Sequence, residues 1–212
     1  MRLLPLDTVT FDDWLLHALT DGQQGRYVDD SSTVNEYACR FNADIASIVE
    51  LHGETAINKA IWYIYGMASG YMWDAMDSSL GAQRLEFMAS VRDLYALGFA
   101  PVCSKHFGHL DRGPESIRPM NSACYMLCDM DGIECPAING DAEMLDASIE
   151  VLSFALTIDS WACQESALHG LGHLAMSFSQ ETTPIIREYH LRKGIPYELR
   201  QYANSAQSGD VL

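Results

Sequence analysis

The spacing of the apolar residues constrains the fold of this chain most, because almost every periodic segment repeats at the α-helical period. Apolar residues recur at steps of three or four positions between residues 41 and 49 and again between residues 145 and 156. Such spacing lines one face of a helix. The alternating Val/Ile/Thr-rich runs and short turns that are typical of β-hairpins are missing. The sequence therefore predicts an all-α protein.

Capping residues, glycines and prolines mark where the helices begin and end. Thr10 and Asp141 are predicted N-caps, and Gly53 is a predicted stop. Thr183 is a predicted cap with Pro184 at the first helical position. The predicted helices cover residues 11–19, 33–51, 54–76, 82–97, 116–130, 142–157, 160–177, 184–193 and 196–200.

Two pairs of these helices have the size of a helical-repeat unit. Residues 54–97 and residues 141–177 each predict a helical hairpin close to the length of a HEAT or armadillo repeat. We expect an irregular stack of antiparallel helical hairpins with a HEAT/armadillo-like arrangement. Residues 1–200 are predicted to form one α-helical domain, and residues 201–212 a polar C-terminal tail that is frayed.

Acidic residues dominate the charge of the chain. Its formal net charge is −16, and the stretch from Pro119 to Ile186 contains no lysine or arginine. A negative surface repels nucleic acid and attracts cations, so we expect a basic protein partner and no nucleic acid. The predicted partner-binding residues are Asp129, Asp131, Glu134, Asp141, Glu143, Asp146 and Glu150.

The N-terminus and the cysteines bear on the compartment. The first apolar run is broken by Pro5 and Asp7, so we expect no signal peptide, and the longest apolar region is too short to cross a membrane. The six cysteines form no CxxC pair, which favours reduced thiols. The predicted location is cytoplasmic.

One helix carries the residues that look most capable of chemistry. When residues 160–177 are placed on a helix, Glu165, His169 and His173 line one stripe opposite the predicted buried face. Histidines at i and i+4 point together and can bind zinc. The His-Glu-x-x-His pattern of metalloproteases is absent, because Gly170 follows His169.

A third metal ligand would have to come from another segment. The cluster Cys103-x2-His106-x2-His109 is the only other candidate, so His106 and His109 join Glu165, His169 and His173 as the alternative ligand set for zinc or iron. This alternative describes a metal-dependent hydrolase.

The same residues have a structural explanation, which we favour over a catalytic one. Gly170 and Gly172 each cost about 1 kcal/mol inside a helix relative to alanine, and their usual reason is the close approach of another backbone or helix. His169 and His173 would then hydrogen-bond to neighbouring helices in a packing joint.

The run Cys163-Gln-Glu-Ser-Ala-Leu-His-Gly-Leu-Gly-His173, with the preceding Cys124-Tyr-Met phrase, resembles a recurring ending of bacterial helical-repeat proteins of uncharacterised function. The resemblance covers about the last half of the chain, from Leu94 onward. It implies a HEAT-type stack and implies no activity.

Two functional hypotheses follow. The first is a non-catalytic acidic helical protein, without a cofactor, that binds a cationic protein; a bacterial immunity protein masking a basic toxin is one form. The alternative is the metal-dependent hydrolase built on His169 and His173. An exposed apolar patch would support a homodimer, although no pattern requires one.

Overall fold

The computed structural model describes residues 9–110, 118–130 and 132–211, which contain helices and turns but no β-strand. The prediction of an all-α protein is confirmed, whereas the HEAT-like arrangement stays a prediction. Among these residues no helix has the length and apolar character needed to cross a membrane. The α-helices are α1 (Phe11–Leu19), α2 (Ser31–Ala43), α3 (Ile45–His52), α4 (Glu54–Tyr65), α5 (Tyr71–Ala75), α6 (Gln83–Asp93), α7 (Pro119–Tyr125), α8 (Cys135–Ile138), α9 (Ala142–Ala155), α10 (Trp161–Ala175), α11 (Ser179–His190) and α12 (Tyr197–Ser208).

The predicted helix caps are found where short-range chemistry sets them. Thr10 and Asp13 form a reciprocal capping box at the start of α1. The Asp141 carboxylate accepts a hydrogen bond from the Met144 amide at 3.2 Å and caps α9. Gly53 ends α3 with a φ of 80°, a conformation that favours glycine.

Two predicted helices are each divided in the structure. The segment predicted as residues 33–51 is interrupted at Asp44, which lies between α2 and α3. The segment predicted as residues 54–76 is interrupted between α4 and α5, where Gly70 adopts a left-handed conformation with a φ of 76°. Apolar spacing continues across both breaks because the helices on either side face the same core.

The C-terminal predictions are wrong in two places. Helix α11 begins at Ser179, so Pro184 lies inside it instead of at its first position. Residues 201–208 are not a frayed tail but the larger part of α12. Apolar residues placed at helical spacing among polar ones hold α12 in place, and the buried ones are Leu199, Tyr202, Ala203 and Ala206.

Helix α10 occupies the centre of the C-terminal half and packs against α7, α9, α11 and α12. A Cβ on Gly170 would lie 2.9 Å from Leu152 Cδ2, and one on Gly172 would lie 2.5 Å from Val211 Cγ1. The predicted close approach at these glycines is therefore confirmed. The prediction that Glu165, His169 and His173 lie opposite the buried face of this helix is wrong, because Glu165 and His169 are both buried.

Candidate metal centre

Two histidines of α10 and one aspartate meet beside the end of α7. A 3-10 turn, Met126–Cys128, follows α7 and brings Asp129 over the helix that carries His169 and His173. Asp129 Oδ2 lies 3.1 Å from His169 Nε2, and Asp129 Oδ1 lies 3.5 Å from His173 Nε2. Two ligands at ordinary zinc distances in a tetrahedral site lie about 3.4 Å apart. Both distances to Asp129 are therefore close to that value, and one donor atom from each of the three residues lies within 4.8 Å of the other two.

The other ring nitrogen of each histidine is held by a neighbouring side chain. His173 Nδ1 lies 2.8 Å from Glu134 Oε1, and His169 Nδ1 lies 2.5 Å from the Tyr202 hydroxyl. Metal-binding histidines usually donate their second N–H to such a group, which fixes the tautomer and the ring orientation. When His173 is neutral and donates from Nδ1 to Glu134, the lone pair of its Nε2 faces Asp129.

His169 Nε2 is buried beside a carboxylate without a well-aligned hydrogen bond. The Tyr202 hydroxyl also lies 3.4 Å from the Val211 carbonyl oxygen. In the tautomer in which Tyr202 accepts from His169 Nδ1 and donates to Val211, His169 Nε2 carries a lone pair. His169 is 2% exposed, and its Nε2 has no aligned hydrogen-bond partner although the Asp129 carboxylate is close. Two acceptors at this distance are stabilised by a cation between them.

The protonation preferences of the two histidines differ. Burial lowers the pKa of His169, against the opposing effect of Asp129. The hydrogen bond that His173 donates to Glu134 raises the pKa of His173, although burial opposes it. Burial raises the pKa of Glu134 itself. His169 is therefore neutral at neutral pH, as a metal ligand must be.

Glu165 and the loop histidines do not join this group. The Glu165 carboxylate accepts hydrogen bonds from the backbone amides of Gly108 at 2.9 Å and His109 at 3.1 Å, and it also pairs with the His109 ring. In the described part of the chain, the group with metal-ligand spacing consists of Asp129, His169 and His173. The third donor thus comes from Asp129, and the prediction that the loop supplies it through His106 or His109 is wrong.

The two histidine clusters are nevertheless neighbours through one aromatic ring. The Tyr202 ring stacks on His109 with centroids 4.3 Å apart, while its hydroxyl contacts His169. His106 is buried in the same loop. Glu165 and His109 therefore anchor the loop to α10.

The predicted partner-binding acids do not all lie on one surface. Asp129 belongs to the candidate metal centre, and Glu134 is 1% exposed, so a partner cannot reach Glu134 in the folded protein. Asp131 lies outside the described residues. Asp146 is exposed on α9.

Arginines from α6 pair with most of the remaining acids. Arg84 pairs with Asp141 and lies 2.6 Å from Glu143, and Arg92 lies 2.9 Å from Glu150. The acidic stretch contains no lysine or arginine, but the fold places arginines of α6 next to it.

Sequence reasoning missed the roles of Asp129, Glu134 and Tyr202. Asp129 and Glu134 were assigned to a partner surface, and Tyr202 to a frayed tail. The one local signal was the end predicted at residue 130 for the helix 116–130, which places the Asp129 carboxylate at the end of a helical segment.

No family model, curated protein or solved structure matches this chain. The case for a function therefore rests on the geometry of the site. The resemblance of the 163–173 run to bacterial helical-repeat proteins stays a prediction.

Proposed function

We propose that this protein binds a divalent transition metal, zinc or iron(II), through Asp129, His169 and His173. The observation that carries the proposal is the buried Nε2 of His169, which faces a carboxylate with no aligned hydrogen bond. The outward hydrogen bonds of both Nδ1 atoms support it, because they aim both Nε2 atoms at one point.

Three protein ligands leave room for a water or a substrate. Two imidazoles and one carboxylate with open positions are typical of catalytic zinc and non-haem iron(II) sites. The side chains of Asp129 and His173 are 32% and 21% exposed, so the open side of the site faces solvent. A zinc ion there would lower the pKa of a bound water, and the reaction class we propose is hydrolysis.

The first test is the metal content of the untagged protein, measured by elemental analysis beside a His169→Ala/His173→Ala variant. His52→Ala is the matched control, because His52 is exposed at the end of α3. We expect one equivalent of metal in the wild type and the control, and none in the double variant.

The packing explanation gives a different result in the same experiment. If the histidines serve only as a packing joint, the wild type will hold no metal and will take up none when titrated with zinc, iron(II), manganese or cobalt. Equal metal content in the wild type and the double variant would also contradict the proposed site.

The second candidate function is the binding of a basic protein partner. One form of it is an immunity protein that masks a basic toxin. The observation that favours it is a groove of about 270 Å³ between α6 and α9, lined by Glu143, Asp146 and Glu150. The first and last of these acids already pair with arginines. The compartment proposed for either function is the cytoplasm, where thiols stay reduced.

The partner hypothesis is tested by the salt-dependent binding of polylysine, measured by calorimetry. Glu143→Gln/Asp146→Asn/Glu150→Gln removes three charges from the groove, and Asp12→Asn/Glu36→Gln/Asp44→Asn removes three exposed charges elsewhere. We expect the first variant to lose more affinity than the second. Equal losses would mean that net charge alone attracts the cation.

A further inference from the structure

The loop formed by residues 106–110 packs on the side of α10 that carries the candidate metal ligands. Trp161, Glu165 and His169 follow one another at steps of four residues, so successive turns of the helix place them on one side. The Trp161 ring stacks on Phe107 of the loop, with centroids 5.2 Å apart and ring planes at 4°. The loop therefore contacts α10 two turns before His169.

Glu165 holds this loop through contacts with two adjacent residues. Its carboxylate accepts hydrogen bonds from the backbone amides of Gly108 at 2.9 Å and His109 at 3.1 Å, and its Oε1 also pairs with His109 Nδ1. Because Glu165 is buried, these contacts compensate for the removal of its carboxylate from water. The His109 ring is therefore fixed in position by a residue of α10.

The His109 ring in turn packs against Tyr202 of α12. The two ring centroids are 4.3 Å apart and the ring planes are at 12°, so the rings are stacked. The Tyr202 hydroxyl lies 2.5 Å from His169 Nδ1. Because this hydroxyl lies in the plane of its ring, the stacking on His109 also sets where the hydroxyl meets His169.

A second path joins the same loop to His169. A Cβ on Gly108 would lie 2.5 Å from Tyr125 Cγ, so the loop backbone packs directly on the Tyr125 ring. The rings of Tyr125 and His169 meet edge to face with centroids 4.9 Å apart. The Tyr125 hydroxyl lies 3.4 Å from the Tyr202 hydroxyl. Both tyrosines that contact the His169 ring therefore also contact the loop.

We propose that Glu165 and His109 are positioning residues of the candidate metal centre. They hold Tyr202 in place, and Tyr202 holds the His169 imidazole with its Nε2 toward Asp129. Both residues act on the imidazole from outside the candidate ligand set. Their effect on metal affinity rests on the proposed function, whereas their effect on the orientation of the His169 ring does not.

The first measurement follows the His169 ring in the metal-free, full-length protein by NMR with isotope-labelled histidine, and His169→Ala identifies its signals. We expect His109→Ala to shift these signals, because the ring that stacks on Tyr202 is lost. His109→Phe should return them toward the wild-type positions, because phenylalanine restores an aromatic ring. His190→Ala is the matched control, since His190 is also partly buried but lies on α11, and it should leave the His169 signals in place.

The second measurement is the dissociation constant for zinc, obtained by competition with a chelator. His109→Ala should bind zinc about 10-fold more weakly, at the low end of the range for groups that orient a ligand, and His109→Phe should recover most of the loss. Tyr202→Phe keeps the ring that stacks on His109 but lacks the hydroxyl, so it should weaken binding at least as much. If His109→Ala does not fold, Tyr202→Phe and Glu165→Gln replace it in both measurements.

A merely structural role of His109 gives a different result. The free energy of unfolding would then fall in His109→Ala while the His169 signals and the zinc affinity stay unchanged, which overturns the positioning role and leaves the metal site intact. If the wild type binds no metal, the proposed function fails and the His169 signals alone decide. Signals that move in His109→Ala and return in His109→Phe support the positioning role, and signals that do not move overturn it.

Discussion

At the scale of single residues, two glycines and one glutamate explain how α10 is positioned. Gly170 and Gly172 have no Cβ, so Leu152 and Val211 approach the α10 backbone closely. Glu134 is buried and holds His173 through Nδ1. A glycine within a helix and a carboxyl away from water both lower the stability of the fold. Tertiary contacts offset each of these costs.

Replacing Gly172 with alanine should destabilise the protein through Val211. Overpacking costs about 1–3 kcal/mol, and the better helix propensity of alanine offsets about 1 kcal/mol of that. The free energy of unfolding, measured by urea denaturation, should therefore fall in Gly172→Ala. It should fall less when Val211→Ala is also present, because the clash is then removed. The same loss in both backgrounds would mean that Val211 is not the obstacle.

Glu134→Gln should weaken metal binding without removing a ligand. The amide keeps the shape of the carboxyl but cannot orient and polarise His173 as strongly, and such changes typically cost about 10–100-fold in affinity. A competition titration with a chelator measures the dissociation constant. Glu150→Gln, an exposed change on α9, is the control. An unchanged affinity in Glu134→Gln would argue that His173 is not a ligand.

At the scale of helices, local sequence signals predict the capped helix ends better than the positions where a long predicted helix is interrupted. The caps at Thr10 and Asp141 depend on residues three positions away, so the sequence alone predicts them. No local signal of this kind marks the break at Asp44 or the continuation of α11 through Pro184. Pro184 is the sixth residue of α11 and has no N–H to donate, so the helix continues through it without that one backbone hydrogen bond.

Asp141 should make the stability of α9 depend on pH. Burial tends to raise its pKa, but the hydrogen bonds and charge from Arg84 and the Met144 amide outweigh burial and lower the pKa overall. A lowered pKa means that the ionised form stabilises the fold above the ordinary aspartate value of about 3.9. This contribution is lost as the pH falls below that value.

The corresponding variant is Asp141→Asn, with Asp146→Asn as the exposed control. We expect about 1–2 kcal/mol lower stability at pH 7, because a cap and a charged hydrogen bond are weakened. The difference from the wild type should shrink as the pH falls from about 5 to about 2. Thermal unfolding monitored by circular dichroism at several pH values measures this difference in stability. A difference that does not change with pH would exclude the Asp141 charge as its cause.

At the scale of the whole molecule, the C-terminal helix completes both the core and the site. Helix α12 packs along α10 and α11, and Tyr202 contacts His169 and His109. Val211 covers the Gly172 side of α10. A segment that reads as a polar tail is therefore part of the folded unit.

Deleting residues 201–212 should reduce the free energy of unfolding by at least about 3 kcal/mol, because it exposes apolar surface now buried by Tyr202 and Val211. Urea denaturation measures the loss. Exposed positions of the same segment provide the control, and Gln201→Ala, Asn204→Ala and Ser208→Ala should change little. If the deletion leaves the free energy of unfolding unchanged, the prediction of a frayed tail is supported instead.

The sequence by itself determined the all-α class, several helix caps and the one-turn spacing of His169 and His173, because periodicity and capping act within a few residues. Tertiary structure alone decided which residues complete the site. Glu134 and Tyr202 stand 39 and 33 residues from the histidines they hold. Glu165, only four positions from His169, pairs with the loop instead. Packing of whole helices sets which distant side chains meet, and no local pattern carries that information.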